Sequence, residues 1–125
     1  MISIDDFKKV EIKVGCILSA EKVLDADKLL KLSVDFGLIP PKSLSEDLGG
    51  TPEERDIRQI ISGIAEYFPD PEVIVGKSCP FVVNLEHRLI KGLKSEGMIM
   101  AVGSADGFFS LLEAKSDTPP GSSVR

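Results

Sequence analysis

The sequence predicts a mainly β fold: a closed five-stranded barrel with a short N-terminal helix, a helical turn after the third strand and a C-terminal extension. Three observations predict it. Apolar and polar residues alternate with a period of two in several short runs. Glycine and proline are frequent, at 11 and 8 of 125 residues, and mark turns between those runs. Only one short helical signal interrupts the series of strands, and it falls between the third and the fourth.

The elements follow in order. Ser3 to Val10 reads as a short helix, with Ser3 as N-cap and Asp6 three residues on, the pattern of a capping box. Ile2 and Phe7 stand where a hydrophobic staple would form. Glu11 to Ala20 alternates, which predicts a strand with Ile12, Val14, Cys16, Leu18 and Ala20 on one side. Leu29 to Phe36 alternates again, with Leu30, Leu32, Val34 and Phe36 inward. Ile57 to Ile64 is a third strand, rich in β-branched residues. Pro71 can open a one-turn helix and Gly76 can close it. Cys79 to Leu85 and Met98 to Val102 make the fourth and fifth strands, and Phe108 to Leu112 a sixth. The tail DTPPGSSVR reads as extended or loose. Three strands, a helical turn and two more strands fit a barrel of OB topology. An open sandwich is the alternative, but the strands are too few for an immunoglobulin-like one.

The whole chain, residues 1–125, reads as one domain. Its irregular part is residues 38–56, LIPPKSLSEDLGGTPEERD, which has no period and reads as a long inserted loop. Apolar residues make up 42% of the chain, enough for a core. A domain this small gains little margin from burial, which favours pairing with a second copy. No apolar run reaches eighteen residues, so no membrane partner is expected. The N-terminus MISIDDFKK has no apolar signal region, and a cytoplasmic location is expected. Cys16 and Cys79 sit in apolar runs and read as buried, reduced thiols, with a disulfide in a secreted protein as the rival.

Several chemistries lack their residues. His87 is the single histidine, there is no CxxC pair, and Ser62 has no nucleophile-elbow context. Gly49-Gly50 is not followed by Gly-Lys-Ser, so no phosphate loop is present. No catalytic residue, metal ligand or cofactor is expected. The net charge of −5 opposes nucleic-acid binding in bulk. Its distribution is uneven. Residues 46–56 hold five acids and one base, whereas residues 87–95, HRLIKGLKS, hold Arg88, Lys91 and Lys94 and no acid.

Five segments in order, Glu11–Gly15 (EIKVG), Ala26–Leu32 (ADKLLKL), Arg58–Ile64 (RQIISGI), Asn84–Arg88 (NLEHR) and Ser95–Met98 (SEGM), resemble the tRNA-binding domain family. That family includes the C-terminal appendix or β subunit of methionyl-tRNA synthetases, free-standing tRNA-binding proteins and secretion-chaperone-like relatives. The likeness covers nearly the whole chain except residues 38–56. It is nearest to the synthetase type, through DDFKKVEIKVG and ISGIAEYFPDPEVIVGK. The resemblance implies an OB fold, a homodimer built from the N- and C-terminal segments, and tRNA binding without catalysis, accessory to a methionyl-tRNA synthetase body. A dimeric, export-chaperone-like module that holds peptide is the alternative it allows.

In an OB barrel the loops after strands one and four flank the ligand groove. Here they are Ser19–Lys28 and Glu86–Gly97. The expected RNA-binding set is therefore Lys28, Arg88, Lys91 and Lys94 on the loops, Lys31 and Arg58 on the adjoining sheet face, and Asn84, Ser95 and Met98 from the family's motifs. Arg88 is the leading candidate, because a guanidinium grips phosphate with two bonds and stacks on bases. Met98 is as well placed for core packing as for a base.

Overall fold

The computed structural model describes residues 1–39 and 54–125. Its main sheet contains β1 (Ile12–Val23), β2 (Ala26–Leu38), β3 (Arg55–Ser62), β4 (Ser78–Val82) and β7 (Met98–Ile99), in the order β3-β2-β1-β4-β7. All these pairings are antiparallel. The sheet curls into a half-barrel of OB type. Its two ends approach through side-chain and single backbone bonds instead of a continuous ladder. Two hairpins stand off it: β5 (Arg88–Ile90) with β6 (Leu93–Ser95), and β8 (Ala101–Gly103) with β9 (Phe109–Leu111). A last strand, β10 (Ser123–Val124), pairs with β1. Most of the predicted loop at 38–56 lies outside the described residues. Its ends are paired: Leu38 stands opposite Arg55, and the Ile39 amide donates to the Glu54 carbonyl at 2.8 Å.

The second strand is read correctly from its alternation. Leu30, Leu32 and Val34 are fully buried and Phe36 nearly so. Full burial of such a side chain contributes about 1.5–3 kcal/mol. They pack with Ile17, Ile60, Ile74, Cys79 and Phe81, and Phe36 meets Phe81 edge to face at 5.2 Å. The first strand buries Ile12, Val14 and Ala20 as expected but departs from the expected phase at its middle. Gly15 and Ile17, not Cys16 and Leu18, face this core: a Cβ on Gly15 would meet Val34 and Phe36, and Leu18 is exposed. An irregularity between Ile17 and Ser19 shifts the register and returns Ala20 to the core. An extra residue of this kind reverses the sidedness of everything on one side of it.

The helix is shorter than expected, spanning Ile4–Phe7, and its capping box is present. Ser3 Oγ accepts from the Asp6 amide at 3.1 Å, and Asp6 Oδ2 accepts from the Ser3 amide at 3.3 Å. Ile2, Ile4 and Phe7 remain exposed. The 3-10 turn Pro71–Ile74 falls where the helical turn is expected, and a second, Ala65–Tyr67, precedes it.

The tail is extended, as one expected alternative has it, but it is docked. The Val14 amide donates to Ser122 O at 2.8 Å and the Gly121 amide to Val14 O at 2.7 Å. Val124 then stands opposite Ile12. Pairing of β1 with β2 begins only at Cys16, so this strap satisfies the edge of β1 that β2 leaves open. Proline is compatible with such an edge position.

Cys79 is buried and Cys16 half-buried, both as free thiols. Burial, with the negative charge of Glu113 adding to it, pushes the Cys79 thiol up to about 11, so it carries no thiolate at neutral pH.

Asp35 is the buried carboxylate of β2. It accepts from the Gly37 amide at 2.8 Å and from Arg55 Nε at 3.0 and 3.1 Å, and Arg55 Nη2 lies 2.9 Å away. Burial pushes this carboxyl up, but the hydrogen bonds from Arg55 and Gly37 and the charge of Arg55 outweigh it and hold it below the usual carboxylate range. The stabilisation is present above the unfolded-state value, about pH 4, and is lost as pH falls through the lower folded value. Asp35→Asn is expected to cost about 1–3 kcal/mol at pH 7, below the range for a fully buried pair because the Arg55 side chain is 45% exposed. Urea midpoints across pH 2–7 check this. The wild type should lose stability on acidification that the variant has already lost, and parallel curves would exclude the pair as the cause.

Candidate nucleic-acid interface

The stretch HRLIKGLKS, expected to be a loop, folds as the β5–β6 hairpin. Arg88 stands opposite Ser95, Leu89 opposite Lys94 and Ile90 opposite Leu93. The connection is the two-residue turn Lys91-Gly92, with φ of 52° and 79°. Positive φ at both central positions marks the turn whose twist matches paired strands. The strand region Ser19–Lys28 likewise contains little loop. It is the tip of the β1–β2 hairpin, with Val23 opposite Ala26 and Asp25 at φ 62°.

The base of the β5–β6 hairpin is clamped to β3. Ser95 Oγ accepts from the Ile61 amide at 3.0 Å and donates to Gly97 O at 3.2 Å. Gln59 Nε2 donates to Lys94 O at 2.9 Å. The Glu96 amide donates to Gln59 O at 2.8 Å, while Glu96 Oε1 accepts from the Gln59 amide at 2.9 Å. Gly97 passes so close to β3 and β4 that a Cβ there would lie 2.9 Å from Ile60 Cδ1 and 3.0 Å from Val82 O. Three residues of the SEGM motif thus hold the hairpin in place. The fourth, Met98, is 49% exposed.

The expected RNA-binding residues divide into two groups. Lys28, Arg88, Lys91, Lys94 and Met98 are exposed, and the four cations have no ion pair among the described residues. The other four are engaged within the fold. Lys31 pairs with Glu21 at 2.9 Å across β1–β2. Arg58 Nη1 donates to Val83 O at 2.6 Å and Glu96 O at 3.2 Å, its Nε and Nη2 bond Asp56, and its guanidinium lies 5.5 Å from the Phe36 ring centroid. Arg58 stands opposite Val34 on the core side, while Lys31, opposite Ile61, lies on the other face of the sheet. The two cations thus sit at positions of opposite sidedness on β2 and β3, although both residues border the recess beside the hairpin base. Ser95 is buried. Asn84 Oδ1 accepts from the Glu11 amide at 2.8 Å, and Nδ2 donates to Lys9 O at 2.6 Å.

Asn84 therefore ties the chain entering β1 to the end of β4. Asn84→Ala should lower stability by about 1 kcal/mol, read as a shifted urea midpoint with an unchanged slope. A variant that melts like the wild type but binds RNA less well would assign Asn84 to the ligand instead.

Two recesses among the described residues bear on the site. One of about 260 Å³ borders the hairpin base and is lined by Ser19, Lys31, Ser33, Arg58, Gln59 and Glu96 among others. The other, about 560 Å³, lies under the β8–β9 hairpin, where Tyr67 stacks on Phe109 at 4.0 Å. Its Lys77 is paired with Glu113 at 3.2 Å, which offsets the charge it presents to phosphate.

Residues 47–123 match the family described as "Putative tRNA binding domain". The chain belongs to the tRNA-binding domain family. It is 37% identical over 123 residues to the methionine–tRNA ligase of Enterococcus faecalis and 40% identical over 124 residues to that of Porphyromonas gingivalis. These matches cover 98% and 99% of the chain but 16% of each ligase. Among solved structures, a MetRS-related protein from Pyrococcus horikoshii superposes with a TM-score of 0.81 at 34% identity, covering 100% of this chain and 98% of that one. The CsaA chaperone protein from Picrophilus torridus superposes with a TM-score of 0.75 at 25% identity, over 100% of both chains. This tRNA-binding domain shares its fold with both kinds of protein.

Proposed function

We propose that this domain captures tRNA electrostatically, without catalysis, as a subunit or appendix of a methionyl-tRNA synthetase. The observation that supports it is the β5–β6 hairpin, which projects Arg88, Lys91 and Lys94 from a clamped base with no acid between them. Lys28 and Met98 are the further exposed candidates. Arg58, Asn84 and Ser95 act by holding this surface in shape. Attached to a catalytic body, the domain raises the local concentration of tRNA there.

The same reading includes a homodimer. Met1, Ile2, Ile4, Phe7 and Val10 leave an apolar surface on the N-terminal segment. The C-terminal strap docks at Ile12–Val14, beside the point where that segment enters β1. A second copy would cover both. Light scattering at micromolar concentration is expected to give twice the chain mass, and Phe7→Glu is expected to give the monomer. A wild-type monomer would exclude the dimer.

Likeness to a chaperone and the net charge of −5 favour one rival, a peptide-holding module. Parallel titrations with tRNA and with an unfolded polypeptide separate the two. Binding of tRNA that weakens with salt supports capture of RNA. Binding of polypeptide alone supports the rival.

A further inference from the structure

The hairpin tip contains one residue that electrostatic capture leaves unexplained. Leu89 is 77% exposed on a two-stranded element whose base is hydrogen-bonded to β3, opposite Lys94 and two residues from Lys91. Cross-strand partners share a face, so Leu89 and Lys94 project together, on the opposite side from the buried Ser95. The turn adds a second observation. Lys91 occupies left-handed backbone, φ 52°, where asparagine or glycine is ordinarily favoured. The strain of a lysine there gains no contact within the fold, since Lys91 is exposed and makes no ion pair among the described residues. The tip thus presents an exposed aliphatic side chain with one lysine across the ladder and another two residues along the chain.

We infer that Leu89 packs against an unstacked base of the bound RNA while Lys91 and Lys94 hold the adjoining phosphates. This rests on the proposed capture of tRNA and deepens it by naming what the hairpin prefers: unpaired, splayed nucleotides over continuous duplex. Unpaired bases offer apolar faces that paired ones hide in the stack. An exposed leucine gains from covering such a face, and a lysine beside it places charge where the backbone must run.

The experiment compares Leu89→Ala with the wild type on unfractionated tRNA and on a blunt RNA duplex, across a salt series. The variant is expected to bind tRNA about fivefold more weakly at every salt concentration. Its log affinity against log salt should run parallel to the wild-type line, because no counterion-releasing charge is removed. Duplex binding, melting temperature and solution mass should not change. Wild-type affinity for tRNA, an equal loss on both RNAs, or a changed mass would each overturn the assignment, the last by placing Leu89 between two copies of the chain. Failure of the wild type to bind tRNA even at low salt is a different result, which overturns the proposed function and this contact with it.

Discussion

Replacing Arg88 and Lys91 together by alanine is expected to lower affinity for tRNA about ten- to a hundredfold at low salt. It should also flatten the salt dependence by about one to two units. Each phosphate neutralised by a cation releases condensed counterions, contributing about 0.7–0.9 to the slope of log affinity against log salt. Both side chains are exposed and neither is compensated by an acid among the described residues, so both are available to phosphate. Lys31, already paired with Glu21, should change the slope less when removed. The net charge of −5 per chain repels RNA at long range, so binding should be clearest below physiological salt. Anisotropy titrations across a salt series measure both quantities at once. A double variant that keeps the wild-type affinity and slope would remove the hairpin from the binding surface.

Gly37→Ala is expected to destabilise the domain by about 2–4 kcal/mol, combining left-handed backbone strain with a steric clash. Gly37 has φ 90°, and a Cβ there would stand 2.5 Å from Pro120 O. The approach is mutual, because a Cβ on Gly121 would collide with the Phe36 carbonyl. Two glycines thus let the C-terminal strap cross β2 on its way to β1. Displacing the strap exposes the Val14 amide and carbonyl that it satisfies. Gly92→Ala is the internal comparison: φ is 79° but nothing lies within 4 Å, so only the backbone cost of about 1 kcal/mol applies. Chemical denaturation should separate the two variants clearly, and hydrogen exchange at Val14 should quicken in Gly37→Ala alone. Equal destabilisation would mean that strap packing contributes nothing beyond the torsion.

How far the sequence could be read depends on where the deciding interaction lies. The alternation of Leu30, Leu32, Val34 and Phe36 is a local signal, and the structure places all four in the core. Alternation in β1 gives the strand and the burial of Ile12, Val14 and Ala20 but not the inward turn of Ile17 in place of Cys16 and Leu18, because the irregularity after Ile17 forms only when β2 lies alongside. Pro119, Pro120 and Gly121 leave the tail open between extended and loose, and the free edge of β1 settles it. The charges of Arg58 and the SEGM motif are visible in sequence, but their partners are far along the chain. Val83 O takes Arg58, and the Ile61 amide takes Ser95.

The sequence by itself determined the mainly β character, the approximate positions of the first four main-sheet strands, the capped N-terminus and the acid-free stretch at 87–95. All of these follow from neighbours within a few residues, through side-chain period, φ preference and local charge. Only the tertiary structure decided which polar groups face outward. Arg58, Asn84 and Ser95 became internal braces, while Leu89, Lys91 and Lys94 were left on a projecting tip. Chain segments remote in sequence compete to satisfy the same buried donors and acceptors, and that competition is resolved only when the sheet has curled.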